Sequence, residues 1–293
     1  MTLPIKTVGV AGAAGTMGAG IAIVAARAGF RTVCYDTSAA GLARAREQSA
    51  AFFDASVKRG KMSAEARHGA LARLHGATEI GALAECDLVI EAVYEDLAIK
   101  QRLLGELDAV CAPHAILASN TSTLSITEIA AGCSRADRIV GMHFCLPAQL
   151  MRLIEMSPGL LTSAESFAAA WAWTEACGQI PVKTQDRPGF VLNALLVPFI
   201  NDAVRAVEAG VASAADIDTA IKVGLGYKMG PLELLDLIGL DTQIRLCEAF
   251  YPVTLEPRAA CPPLLRRMVA AGLLGRKSGR GFFAYEGGAM FGT

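Results

Sequence analysis

The stretch from Thr7 to Asp36 constrains the fold of this chain more than any other. Thr7 to Ala11 is a short apolar run bounded by glycines, the pattern of a buried parallel strand. Thr16 to Ala28 follows with Ala, Ile and Val at helical spacing and stops at Gly29, which suits a C-cap. Arg31 to Tyr35 reads as a second strand, and Asp36 closes it. Gly12, Gly15 and Gly18 sit with Thr16 and Met17 where the first strand turns into the helix. Glycines there allow a tight turn and close backbone approach, while the helix start offers free N–H groups and partial positive charge to a pyrophosphate. Asp36 is placed to accept hydrogen bonds from both ribose hydroxyls. It would repel a 2′-phosphate, and Thr37-Ser38 brings no Arg to compensate, so NAD is favoured over NADP. The spacing is G-x-x-G-x-x-G rather than G-x-G-x-x-G, with Ala13 where the first Gly would stand, which predicts a loop one residue longer.

The alternation continues. Ser38 to Arg59 and Ser63 to Leu74 read as two polar helices joined at Gly60-Lys61. Strands are expected at 87–92, 115–119, 138–143 and 153–156, with helices near 97–111 and 164–177. This is the signature of an α/β fold, a Rossmann-like, doubly wound and mostly parallel sheet. Beyond Pro181 to Gly189 the strand signals vanish, and helices are expected at 190–209, 214–223, 231–249 and 262–271, with Pro231 suited to a first helical turn. The boundary falls in 184–189, dividing a nucleotide-binding domain with a helical-pair insertion (1–186) from an all-helical domain (187–293).

Composition narrows the alternatives. The 53% hydrophobic share raises the question of membranes, but the longest nearly apolar run, Phe190 to Ile200, is interrupted by Asn193 and Pro198. It is too short for a span of about 20 residues. Met1 to Lys6 carries neither a charged leader nor a cleavage pattern. The eight cysteines are scattered without a CxxC, as expected of reduced thiols in the cytoplasm rather than a disulfide frame or a metal site. A net charge of -1 and the lack of a basic-aromatic stripe give no pull toward nucleic acid.

His143 ends the apolar strand Ile139 to Met142, at the sheet edge where such folds bind ligands. A neutral imidazole there can take a proton, and a carboxylate such as Glu155 would orient it. Ser122 in Ser119-Asn120-Thr121-Ser122 and the polar Asn193 in an apolar run complete a set suited to hydride chemistry. His68, His75 and His114 read as surface residues, and Phe167, Trp171 and Trp173 as core. Lys58, Arg59 and Lys61 cluster at the turn of the helical pair, where they would meet an anionic substrate handle or simply be solvated.

Several segments occur in one order: Gly-Thr-Met-Gly-Ala-Gly-Ile-Ala (15–22), Asp-Leu-Val-Ile-Glu-Ala-Val (87–93), Ala-Ser-Asn-Thr-Ser (118–122), Gly-Met-His-Phe (141–144), Pro-Gly-Phe-Val-Leu-Asn (188–193), Met-Gly-Pro-Leu-Glu-Leu-Leu-Asp (229–236) and Gly-Arg-Lys-Ser-Gly-Arg-Gly-Phe (275–282). Together they resemble the 3-hydroxyacyl-CoA dehydrogenase family, most closely its stand-alone bacterial 3-hydroxybutyryl-CoA type. The resemblance implies that His143 is the base, Glu155 its partner, Ser122 a contact of substrate oxygen and cofactor, and Asn193 a substrate contact. It implies NAD contacts at Glu95, Lys100 and Lys277, coenzyme A contacts in the helical pair, and a homodimer built through the helical domain. The implied reaction is reversible NAD-dependent oxidation of a short-chain (S)-3-hydroxyacyl-CoA. Where the family reads Phe-Asn-Pro after its histidine, this chain has Cys145-Leu146-Pro147. That departure keeps open oxidation of a small polar hydroxy compound such as a sugar acid or carnitine. A nucleotide-binding protein without turnover is the third reading.

Overall fold

The computed structural model describes residues 5–285, so the reading of Met1 to Pro4 lies outside them. The chain divides into two units, the first ending at Phe190 and the second beginning at Val191. The first unit runs β1 (Thr7–Ala11), α1 (Thr16–Arg27), β2 (Arg31–Tyr35), α2 (Ala39–Lys58), α3 (Ala64–Ala72), β3 (Leu74–Ala77), β4 (Leu88–Glu91), α4 (Leu97–Val110), β5 (Ile116–Ser119), α5 (Ile126–Ala130), β6 (Ile139–Phe144), β7 (Leu153–Pro158), α6 (Ala164–Ala176) and β8 (Ile180–Lys183). Its strands form one eight-stranded sheet in the order β3-β2-β1-β4-β5-β6-β7-β8. The order reverses between β1 and β4, the switch point at which doubly wound sheets take ligands.

The central strands are buried on both faces, and their alternation assigns each side chain to a layer. Leu88 and Ile90 of β4 join Val8, Val10, Ile21 and Val24 in one core, whereas Val89 between them joins Leu104, Leu107, Leu117 and Ile129 in the other. Phe167 and Trp171 pack against the first of these cores and Trp173 is buried in it, as expected.

Two short edge strands were not expected. The helix read through Leu74 stops at Ala72, and Leu74–Ala77 becomes β3 on the sheet edge. With only Leu74 of that strand buried, period-two alternation has nothing to show. β8 holds Pro181 in a largely exposed strand, the edge position a residue without an N–H tolerates. Six of the strand pairings are parallel; β6 and β7 alone are antiparallel.

The second unit is helical: α7 (Leu192–Glu208), α8 (Ala214–Leu225), α9 (Pro231–Ile238), α10 (Leu240–Thr254) and α11 (Pro263–Ala270). Ile200, Val204, Leu232, Leu235, Leu240 and Leu265 form its core. The single helix expected over 231–249 is broken at Gly239, and α10 runs on to Thr254. Pro231 occupies the first turn of α9, as expected. Buried Asp218 accepts the Leu232 and Glu233 N–H groups at 2.9 and 2.8 Å and so caps α9. Buried Asp236 accepts the Phe282 and Phe283 N–H groups, both at 2.9 Å, and the Tyr285 hydroxyl at 3.0 Å.

Candidate active site

The antiparallel turn-back of β7 on β6 creates the central feature. Directly opposed residues of such a pair put their side chains on one face. His143 is registered opposite Glu155, and its Nδ1 lies 2.8 Å from Glu155 Oε2. Both are buried, at 7% and 1% exposure. A carboxylate only accepts hydrogen bonds, so Nδ1 carries the proton and Nε2 is left as the acceptor. Asn120, at the end of β5, accepts the Phe144 N–H at 2.9 Å and ties the neighbouring strand end to the residue after His143. Cys145 follows, its thiol pushed up to about 11 by burial and by Glu155, which leaves it protonated and without nucleophilic character at neutral pH.

Ser122 sits on the loop after β5, and that loop hangs on one acid. Glu95 Oε1 accepts the Thr121 hydroxyl at 2.6 Å, the Ser122 and Thr123 N–H groups at 2.8 and 2.9 Å, and the Thr123 hydroxyl at 2.8 Å. Lys100 sets that acid in place. Its Nζ lies 3.3 Å from Glu95 Oε2 and donates to both Glu91 oxygens at 2.8 and 2.9 Å. Lys100 is 1% and Glu91 0% exposed. Ser119 and the Val93 N–H also donate to Glu91. Burial alone would raise the Glu95 carboxyl; Lys100 and the donors of Thr121, Thr123 and Ser122 hold it below the usual range. The sequence reading did not single out Glu91 or Asn120.

The nucleotide turn is as close-fitting as its glycines require. Gly12 has φ +83°, and a Cβ there would lie 2.8 Å from the Ala92 carbonyl oxygen. A Cβ on Gly18 would lie 2.2 Å from the Gly12 carbonyl oxygen. Gly15 precedes α1 with no side chain capping the first turn and no acid within it, so the N–H groups of Thr16 and Met17 belong to an open helix start. Asp36 accepts the Ala14 N–H at 3.1 Å and the Ser38 N–H at 3.0 Å, clamping the glycine turn to the end of β2. An uncapped helix start beside a cradle with no room for side chains, flanked by an acid, fits a dinucleotide.

The remaining positions are distributed as follows. Lys58, Arg59 and Lys61 are exposed at the α2–α3 turn, and none is in an ion pair among the described residues; Asp54 and Arg67 clamp the two helices at 2.6 Å. Asn193 lies in the first turn of α7 in the second unit. Lys277, also in the second unit, pairs with Asp241. His68, His75 and His114 are exposed. Among the described residues no group of His, Cys, Asp and Glu could hold a metal ion, and no helix is long and apolar enough to cross a membrane.

Residues 7–187 match the model of the 3-hydroxyacyl-CoA dehydrogenase NAD-binding domain, and 189–285 that of the family's C-terminal domain. The chain belongs to the 3-hydroxyacyl-CoA dehydrogenase family. It is 42% identical over 287 residues to a 3-hydroxybutyryl-CoA dehydrogenase of Mycobacterium tuberculosis strain H37Rv, covering 97% of this chain and all of the relative. A probable 3-hydroxybutyryl-CoA dehydrogenase of Bacillus subtilis is 42% identical over 288 residues, covering 97% and 99%. The crystal structure of an (S)-3-hydroxybutyryl-CoA dehydrogenase from Ralstonia eutropha superimposes with a TM-score of 0.93 at 41% identity, over 97% of this chain and 100% of that one. As a member of this family the chain is an NAD-dependent oxidoreductase, and NAD is its cofactor.

Proposed function

We propose that this dehydrogenase oxidises a short-chain (S)-3-hydroxyacyl-CoA, four carbons being the first expectation, to the 3-ketoacyl-CoA, reversibly. The buried His143–Glu155 pair carries the reading. Bound NAD supplies the hydride acceptor. His143 Nε2 takes the C3 hydroxyl proton, and Glu155 at Nδ1 fixes the tautomer and offsets the positive charge on the ring. Ser122 and Asn193 hold the substrate oxygen in line, and water is kept from the imidazole by its burial. In the reverse direction His143 returns the proton. Gly12, Gly15, Thr16, Met17, Gly18 and Asp36 hold the dinucleotide, with Glu95, Lys100, Ser122 and Lys277 as further cofactor residues. Lys58, Arg59 and Lys61 are the handle for the phosphates of coenzyme A; their exposure without ion-pair partners supports this.

On this reading residues 1–186 bind NAD and residues 187–293 bind substrate and form a homodimer. Exposed Leu195, Val211, Val223 and Leu225 on the helical unit support the dimer. Eight unbridged cysteines suit the cytoplasm.

The test is oxidation of NADH with acetoacetyl-CoA, followed by loss of nicotinamide absorbance, with NADPH and free acetoacetate alongside. Rapid turnover only with the thioester and NADH is the expected result. NADH binding without thioester turnover would reject the acyl-CoA reading in favour of a polar hydroxy compound, the reading Leu146 leaves open.

A further inference from the structure

Among the described residues only Phe190 and Leu255 combine a side chain with positive φ. Leu255 is an exposed C-cap of α10, an ordinary place for a left-handed residue. Phe190 is different: its φ is +48°, it is 7% exposed, and it stands just before the N-cap of α7, an end of a helix that calls for no left-handed residue. A bulky L residue adopts this conformation only at a cost, and it persists where the surroundings over-determine it. Those surroundings are present. Asp186, just before the turn, accepts the Ser125 and Thr127 hydroxyls at 2.9 and 2.6 Å and the Ile126 and Thr127 N–H groups at 2.7 and 2.9 Å. Gly189 donates its N–H to the Ser122 carbonyl at 3.1 Å, and Phe190 donates to the Arg187 carbonyl at 3.1 Å.

The strained backbone delivers the Phe190 ring to His143. The two ring centroids are 5.6 Å apart with planes tilted by 38°, within the range of a favourable aromatic contact. The imidazole is therefore held at two places, at Nδ1 by Glu155 and over its ring by Phe190.

We propose that Phe190 is a positioning residue for His143. Its ring limits rotation of the imidazole and excludes water from it, so that Nε2 is presented in one orientation. The same turn, through the Gly189 N–H, holds the carbonyl of Ser122, so one strained segment sets both groups that address the substrate oxygen. The inference rests on reading His143 as the base.

Phe190→Leu, Phe190→Tyr and Phe190→Gly distinguish this role from simple core filling. Leu keeps apolar bulk without a flat ring, Tyr keeps the ring, and Gly removes both the ring and the backbone strain. We expect kcat for acetoacetyl-CoA reduction to fall about 10- to 100-fold in Phe190→Leu and Phe190→Gly. The KM for NADH should stay within about twofold, since only the reacting group is disturbed. Phe190→Tyr should restore kcat to within about threefold of the parent. Full kcat in Phe190→Leu overturns the proposal, as does a loss that Phe190→Tyr does not rescue; if Phe190→Gly fails to fold, these two variants decide. His143→Ala is the control. Turnover surviving in it would remove the base reading and the inference together, whereas an inactive His143→Ala beside a fully active Phe190→Leu removes the inference alone.

Discussion

The two units hold their acids in different company. In the first, Glu91 and Glu95 share the Lys100 ammonium, and Glu155 faces an imidazole. In the second, the hydrogen bonds to Asp218 and Asp236 among the described residues come from backbone N–H groups and one hydroxyl. The consequence is opposite in sign. Burial raises both carboxyls, but Glu95 is brought below its usual range by Lys100 and its hydrogen bonds, while Asp236 stays above its own despite three donors, with Asp218 adding repulsion. A full positive charge nearby outweighs desolvation where dipoles do not. In the first unit these acids hold the Ser122 loop and His143; in the second they fasten α9 and the chain after α11.

Substitutions should separate along that line. His143→Ala has the largest expected effect, a fall in kcat of about 10²- to 10⁴-fold measured where the variant is fully folded, beside a stability cost of about 1–3 kcal/mol from the donor that Glu155 loses; full activity in the folded variant would blur the division. Lys100→Met leaves Glu91 buried without its cation and should cost about 3–5 kcal/mol in denaturant unfolding, as breaking a buried pair does. It should also weaken NADH binding by loosening the Ser122 loop, and a near-neutral result would mean that the cluster is not held by its charge.

The pH response is smaller and sharper. For Glu95 the folded value is lowered, so the stability it contributes is complete above the ordinary value of about 4.3 and is lost as pH falls through the folded value. For Asp236 the folded value is raised, so ionisation costs stability above that value, and the cost disappears as pH falls toward the ordinary value of about 3.9. Hydrogen exchange, corrected for intrinsic rates, should show protection at Phe282 and Phe283 holding or rising as pH falls to about 3.9, while protection at Ser122 and Thr123 declines below about pH 4.3. The reverse trend would undo the comparison. Smallest is Tyr285→Phe, which removes one donor from Asp236 and should cost about 1 kcal/mol without changing kcat.

The same contrast explains what was legible in the sequence. The β1–turn–α1–β2 unit and Asp36 could be read because a local pattern specifies each of them. His143 and Glu155 could be paired as chemistry, but not as geometry, because the antiparallel return of β7 leaves no mark in either strand. Glu91 stood in a quoted motif without a role, since its partner Lys100 lies across a loop on the next helix. Phe190 stood in a quoted motif without a role: neither its left-handed backbone nor its tilted ring contact with His143 is encoded by neighbouring residues alone. Edge strands β3 and β8 were lost to weak burial, and the break at Gly239 to an apolar pattern that runs through it.

The register of β6 on β7 carries one more consequence. Because side chains alternate along a strand, sliding β7 by a single residue would turn Glu155 to the far side of the sheet and leave His143 facing Ile154 or Met156. That register is pinned by the buried side chains of the two strands themselves, not by the connection from Cys145 to Arg152. Exchange or insertion within that connection leaves the acid where it is, because the loop absorbs the change. A loop graft intended to change substrate preference in this scaffold can therefore vary the connection freely, provided that both strands keep their buried residues.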